Sequence, residues 1–142
     1  MPDPYKAGMF KNSPYAKKTA VKGKLVVVLE GELEGRDLSL INPISRALCK
    51  NEIHELIFTD EKNVGPGKKV NSIGYLGFTE ILEGGVIVVG DNIKVDGEIV
   101  GRIAGFDDTH MPNHWNIIIN SDVRTSGNSR GYMLGQEIII EK

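Results

Sequence analysis

Short runs of β-branched and aliphatic residues, each closed by glycine or a polar turn, recur along the chain and predict a mainly β protein. In Thr19–Leu33 the run Val26-Val27-Val28 is too short for a helix and predicts a buried strand. Ile53–Thr59 alternates well enough for a strand, and Val70–Glu83 reads as one or two strands around Gly74 and Gly77. The most regular stretch follows, with strands at Val86–Val89, Asn92–Val95 and Glu98–Phe106 separated by Gly90-Asp91 and Asp96-Gly97. Asp-Gly is a type I′ hairpin dipeptide, which needs positive φ at both residues. Trp115–Asn120 and Gln136–Glu141 supply two last strands, and Asp60–Lys69 and Ser121–Gly135 read as loops.

One helix interrupts this pattern. Asn42-Pro43 has the form of an N-cap followed by proline at the first helical position, and Ile44, Ala47 and Leu48 then share a face, predicting a short α-helix over Pro43–Lys50. Met1–Lys18 has neither period: Pro2, Pro4 and Pro14 interrupt Tyr5, Phe10 and Tyr15, so it reads as an irregular N-terminal arm that packs on the protein or reaches a neighbouring subunit. Residues 19–142 then form one domain, a small closed or partly open β-barrel of seven or eight short strands with one short helix. Closure is favoured because it removes unpaired strand edges.

The length, 142 residues, suits one domain, and an apolar content of 40% supports a core. Net charge is −2, which argues against nucleic acid as a partner. Charge is unevenly spread: residues 1–70 carry 12 basic and 9 acidic groups, residues 71–142 carry 5 and 10. The basic edge Lys17, Lys18, Lys22 and Lys24 could attract nucleic acid, but with few interleaved aromatics and an acidic remainder it suits a subunit contact to the acidic C-terminal half at least as well. Cys49 is the single cysteine, so no internal disulfide forms and a reducing cytoplasm is expected. No apolar run approaches the roughly 20 residues of a membrane helix, so no membrane partner is expected.

The densest polar constellation is Gly105-Phe106-Asp107-Asp108-Thr109-His110-Met111-Pro112-Asn113-His114, which joins two predicted strands. Carboxylates and imidazoles this close are ligand types for a divalent metal such as Zn, Mn or Fe, and the set His110, His114 and Asp108 is the natural choice. Pro112 forbids an ordinary helix here, so the usual argument for two histidines four apart on one helical face does not apply. The same groups serve equally as a general base oriented by an aspartate. They also suit a plain structural role, with Asp107 and Asp108 capping the loop as Asx turns. Cys49 and His54 could pair as a nucleophile and base, although Cys49 adjoins Ala47 and Leu48 and reads as a small buried residue. Gly65-Pro66-Gly67-Lys68-Lys69 lacks the spacing of a phosphate loop and reads as a solvated turn.

The stretch Gly84–Lys142, with Gly90-Asp91-x-Ile93, Val100-Gly101-x-Ile103-Ala104-Gly105, His114-x-x-Ile117 and Gly135-x-x-Ile138, resembles the glucitol/sorbitol-specific IIA component of the bacterial sugar phosphotransferase system. That resemblance implies a small closed barrel of glycine-separated strands, and it carries one position across, His114. The carriers' phosphorylatable histidine has no counterpart in Ser72–Gly77, so the chain as a whole looks like a separate bacterial family that shares the barrel and has lost the phosphocarrier role. The expected function is binding of a small polar molecule at the Asp107–His114 loop. Asp107, Asp108, His110, Asn113 and His114 would contact the ligand, and Trp115 would form an apolar wall. The alternative is a metal-dependent enzyme acting on a small carboxylate or sugar derivative.

Overall fold

A computed structural model of the protein describes residues 14–142. Twelve strands follow one another: β1 (Val21–Val28), β2 (Glu32–Leu33), β3 (Leu38–Ser39), β4 (Ser45–Leu48), β5 (Ile53–Thr59) and β6 (Lys69–Val70), then β7 (Ile73–Glu83), β8 (Gly85–Val88), β9 (Asn92–Val95), β10 (Glu98–Asp107), β11 (Asn116–Asn120) and β12 (Glu137–Glu141). Seven of them pair in a closed ring, β1-β12-β9-β10-β11-β5-β7, with β7 returning to β1. Every contact in the ring is antiparallel except β11 with β5, which is parallel. The fold is mainly β, as the glycine-punctuated pattern predicts, and Asp96 (φ 48°) with Gly97 (φ 82°) makes the expected hairpin between β9 and β10.

Three expectations are corrected. Among the described residues there is no helix: Pro43–Lys50 contains β4 instead, paired residue for residue with β8 from Ser45↔Val88 to Leu48↔Gly85. An eight-residue helix would pay nucleation for few hydrogen bonds, whereas the extended form gains a ladder and buries Leu48 in the main core. Among the described residues there are twelve strands in all, seven of them in the ring, against the seven or eight expected, because two-residue ladders such as β3–β6 leave no period in the sequence. The valine run is not uniformly buried either. β1 alternates with Val21, Gly23 and Leu25 inside, and a register shift against β7 between Leu25 and Val27 breaks the alternation and leaves Val27 39% exposed.

Side chains divide into two apolar clusters. The larger, containing Leu56, Phe58, Ile93, Phe106, Ile117 and Ile119, takes one residue in two from the ring strands. The smaller lies on the opposite face of β5, β10 and β11, where Ile57, Ala104 and Ile118 meet Leu38, Leu40 and Val70 from the β3 and β6 region. Loop 121–136 folds back on the ring: Arg130 stacks on the Phe58 ring at 3.8 Å, Arg124 pairs with Glu34, and Ser126 N–H donates to Glu32 Oε1 at 3.0 Å.

Residues 1–13 of the expected arm lie outside the described residues. Its last part packs on this same chain. Tyr15 OH donates to Ser45 Oγ at 2.8 Å, and Lys18 Nζ donates to the buried Asp91 at 2.6 Å. Lys22 and Lys24 approach Glu83 and Glu80 at 3.8 Å, so three lysines of the basic edge are matched by acids of the C-terminal half. Among the described residues no helix is long and apolar enough to cross a membrane.

The seam closing the ring, β1 against β7, requires glycine at position 77, where a Cβ would stand 2.1 Å from the Val27 carbonyl oxygen. Gly77→Ala is expected to lower stability by about 2–3 kcal/mol through overpacking against backbone, measured by urea unfolding.

Candidate functional site

The register places four side chains at one level across adjacent strands. Asp107 on β10 is opposite Asn116 on β11, Asn116 is opposite Glu55 on β5, and Glu55 is opposite Phe78 on β7. Because partners in register point to the same side, this row lies on the face that carries the smaller cluster, one step along β5 from Ile57 and along β11 from Ile118. A buried polar row of Asp107, Asn116 and Glu55 thereby borders the apolar face, and Glu55 is only 7% exposed.

The segment between β10 and β11 turns back over this row. Met111 N–H donates to Asp108 O, Asn113 N–H to His110 O at 2.8 Å, and His114 N–H to His110 O at 3.3 Å; the Met111–Pro112 peptide is cis. This closed turn sets the His110 and His114 rings 5.0 Å apart, tilted by 31°. Phe78 meets His114 edge-on at 5.1 Å. His114 Nε2 stands 3.4 Å from Glu55 Oε1, and one ligand atom from each of Glu55, His110 and His114 lies within 4.8 Å of the others.

The hydrogen-bond pattern leaves this cluster rich in acceptors. Asn113 Oδ1 lies 2.7 Å from His114 Nδ1, a contact that suits the tautomer protonated on Nδ1, in which Nε2 carries the lone pair. Asn116 Nδ2 donates to Asp107 Oδ1 at 3.1 Å, which turns Asn116 Oδ1 away from Asp107. Nε2 of His114 and Oδ1 of the fully buried Asn116 have no hydrogen-bond partner. Among the described residues nothing donates a hydrogen bond to the Glu55 carboxylate either.

Burial pushes the Glu55 carboxyl above the ordinary carboxylate range; His110 and Arg36 oppose this and Asp107 reinforces it. Burial, followed by the charge of His110, pushes His114 below the ordinary imidazole range, and the Asn116 side chain pulls the other way. Both groups are held toward their neutral forms.

The residues expected at the site take different places. His110 and His114 converge, and Asn113 orients His114. Asp107 is buried and engaged by Asn116 and by Thr109 N–H at 3.0 Å, the Asx turn that the sequence allows. Asp108 is exposed, and Glu55 occupies the carboxylate position of the cluster. Trp115 packs against the larger core with Arg46 over its ring at 4.4 Å. His54 uses both nitrogens, accepting from Trp115 N–H at 3.0 Å and meeting Glu52 Oε1 at 3.2 Å. Cys49 is exposed, not buried, because β4 ends at Leu48 and the chain turns outward there.

Glu55 and Asn116 are the residues that reading along the chain passes over. A signal existed: in the alternating strand Ile53–Thr59, Glu55 shares a face with Ile57, and Asn116 opens the run Asn-Ile-Ile-Ile.

A family model described as a family of unknown function, DUF6917, matches residues 15–141. The chain belongs to the DUF6917 family. The span that matches the DUF6917 model holds all twelve strands and every residue of the Glu55 cluster. No curated protein and no solved structure matches the chain.

The depressed His114 gives a pH signature. Below its ordinary value of 6.5 the unfolded chain takes up a proton that the folded chain refuses, so stability falls as pH drops through and below that point. His114→Gln is expected to remove this loss, seen as a flatter urea midpoint between about pH 7 and pH 5.

Proposed function

We propose that this protein binds a small polar ligand on the rim of its ring, in a cradle made by Glu55, Asn116 and the Asp107–His114 loop, and that the ligand brings positive charge or hydrogen-bond donors. The observation that carries this reading is the meeting of Glu55 Oε1 and His114 Nε2 at 3.4 Å beside the buried Asn116, with His114 Nε2 and Asn116 Oδ1 both lacking a hydrogen-bond partner. A buried acceptor without a donor costs about 1–3 kcal/mol, and such a cost persists where a ligand supplies what the protein lacks.

In this reading the seven-strand ring acts as a small filled barrel, a rigid scaffold on which β5 and β11 hold Glu55 and Asn116 while the loop brings the imidazoles. His110, exposed at the edge, leaves the cradle open on one side. A reducing cytoplasm suits the exposed thiol of Cys49.

Glu55→Gln tests the cradle directly, because the amide keeps the shape and supplies the missing donor. With ligands removed by dialysis against a chelator at pH 7, the variant is expected to be more stable than the parent by about 1 kcal/mol, a rise in Tm of roughly 3–5 °C. The folded pKa of Glu55 is raised, so its ionised form weakens the fold as pH rises above the ordinary 4.5, and the variant's advantage should shrink toward that pH. A variant less stable than the parent at pH 7 would mean that the acceptors already have partners, and the reading would fail.

A further inference from the structure

We infer that the ligand of this cradle is a single first-row divalent metal ion, Zn²⁺, Mn²⁺ or Fe²⁺, bound by the Glu55 carboxylate and the imidazoles of His110 and His114. The inference deepens the acceptor-cradle reading and rests on it.

The cluster has the size of one ion. Three atoms no more than 4.8 Å apart all lie within about 2.8 Å of a common point, and metal–ligand bonds of ~2.0–2.2 Å are reached by closing that gap by well under an ångström. The side chain that must move most freely, His110, is the exposed one, while Glu55 is fixed by the ring and His114 by Asn113 and Phe78.

The chemistry also selects a metal. His114 directs Nε2 toward a carboxylate at 3.4 Å while Nδ1 meets Asn113 Oδ1 at 2.7 Å, so the tautomer protonated on Nδ1 would ligate through Nε2 with its other nitrogen held, as in metal-bound histidines. An organic cation would have to donate to the same atoms from a space bounded by the Phe78 edge and the two imidazoles. Two imidazoles and one carboxylate are a ligand set for a borderline ion, with too few oxygens for Ca²⁺ or Mg²⁺. Three protein ligands leave coordination positions vacant, and the exposed side at His110 is where water or a small anion would complete the shell.

An independent observation supports the site. Asn116 is fully buried, its amide nitrogen is held by Asp107, and its Oδ1 has no partner. It is the cross-strand neighbour of Glu55, so its side chain lies beside the carboxylate of the proposed ligand set. We assign it a positioning role, outside the ligand set.

The test uses the untagged full chain, stripped with chelator and titrated with Zn²⁺, Mn²⁺, anaerobic Fe²⁺ and, as a spectroscopic probe, Co²⁺. One saturable site per chain is expected, with affinity rising from Mn²⁺ through Fe²⁺ to Zn²⁺ and visible Co²⁺ bands that report bound nitrogen and oxygen. Glu55→Gln, His110→Ala and His114→Ala should each weaken binding about 100-fold or more, while Asp108→Asn and Cys49→Ser should leave it intact. His110→Ala alters an exposed position, so loss of binding there cannot be ascribed to loss of fold. No saturable site below about 1 mM, or a site that survives both Glu55→Gln and His110→Ala, overturns the inference. If metal fails to bind yet Glu55→Gln still stabilises the stripped protein, the acceptor cradle stands and only its assignment to a metal falls; if both fail, the whole reading falls.

Discussion

The parallel pairing of β5 with β11 is the contact on which the rest of the molecule depends. It joins segments about sixty residues apart, from Asn116↔Glu55 to Asn120↔Thr59, and without it the ring has two open edges. Parallel strands cannot be joined by a tight hairpin, and the long intervening chain contributes β7, β9 and β10 to the ring and β6 and β8 to two-stranded ladders outside it before β11 returns beside β5. The same pairing fixes the register of both faces. Leu56, Phe58, Ile117 and Ile119 enter the larger core, and on the other face Glu55 lands next to Asn116. A shift by one residue would exchange the faces and bury the carboxylate in the core.

That register creates a local conflict between stability and chemistry. Ile57 and Ile118 continue the apolar face, and one step further each strand carries a polar group. Asp107 is fully engaged, by Thr109 N–H and by the amide of Asn116. His114 Nε2 and Asn116 Oδ1 have no hydrogen-bond partner, and burial holds Glu55 and His114 toward their neutral forms. By contrast, His54 lies on the opposite face of the same strand with both nitrogens engaged. Adjacent residues of one strand, on opposite faces, thus contrast a polar group with both nitrogens engaged and a carboxylate set against an imidazole.

Elsewhere the charges are matched within the chain. The basic early residues meet the acidic later ones through Lys18 with Asp91, Lys22 with Glu83 and Lys24 with Glu80. The exposed pairs contribute little, but Lys18 and Asp91 are both nearly buried, and Asp91 also accepts from Val88 N–H. The asymmetry of charge along the sequence therefore anchors the residues before β1 to the ring.

Local chemistry determined much of this protein. Glycine and β-branched spacing set a mainly β fold, Asp96-Gly97 set the β9–β10 hairpin, and two histidines near one proline marked a polar turn. These are decided within a few residues by allowed φ, strand alternation and turn geometry. The tertiary structure decided the remainder. Pro43–Lys50 carries helix signals, yet β8 lies beside it and turns it into strand, since a ladder with a distant partner outweighs weak local preference. Asp108 and Glu55 are both carboxylates, and only the pairing of β5 with β11 shows that the one near in sequence is exposed while the distant one sits against His114. Neighbourhood across strands is set by register, and register depends on contacts between residues far apart in the chain, which no local pattern encodes.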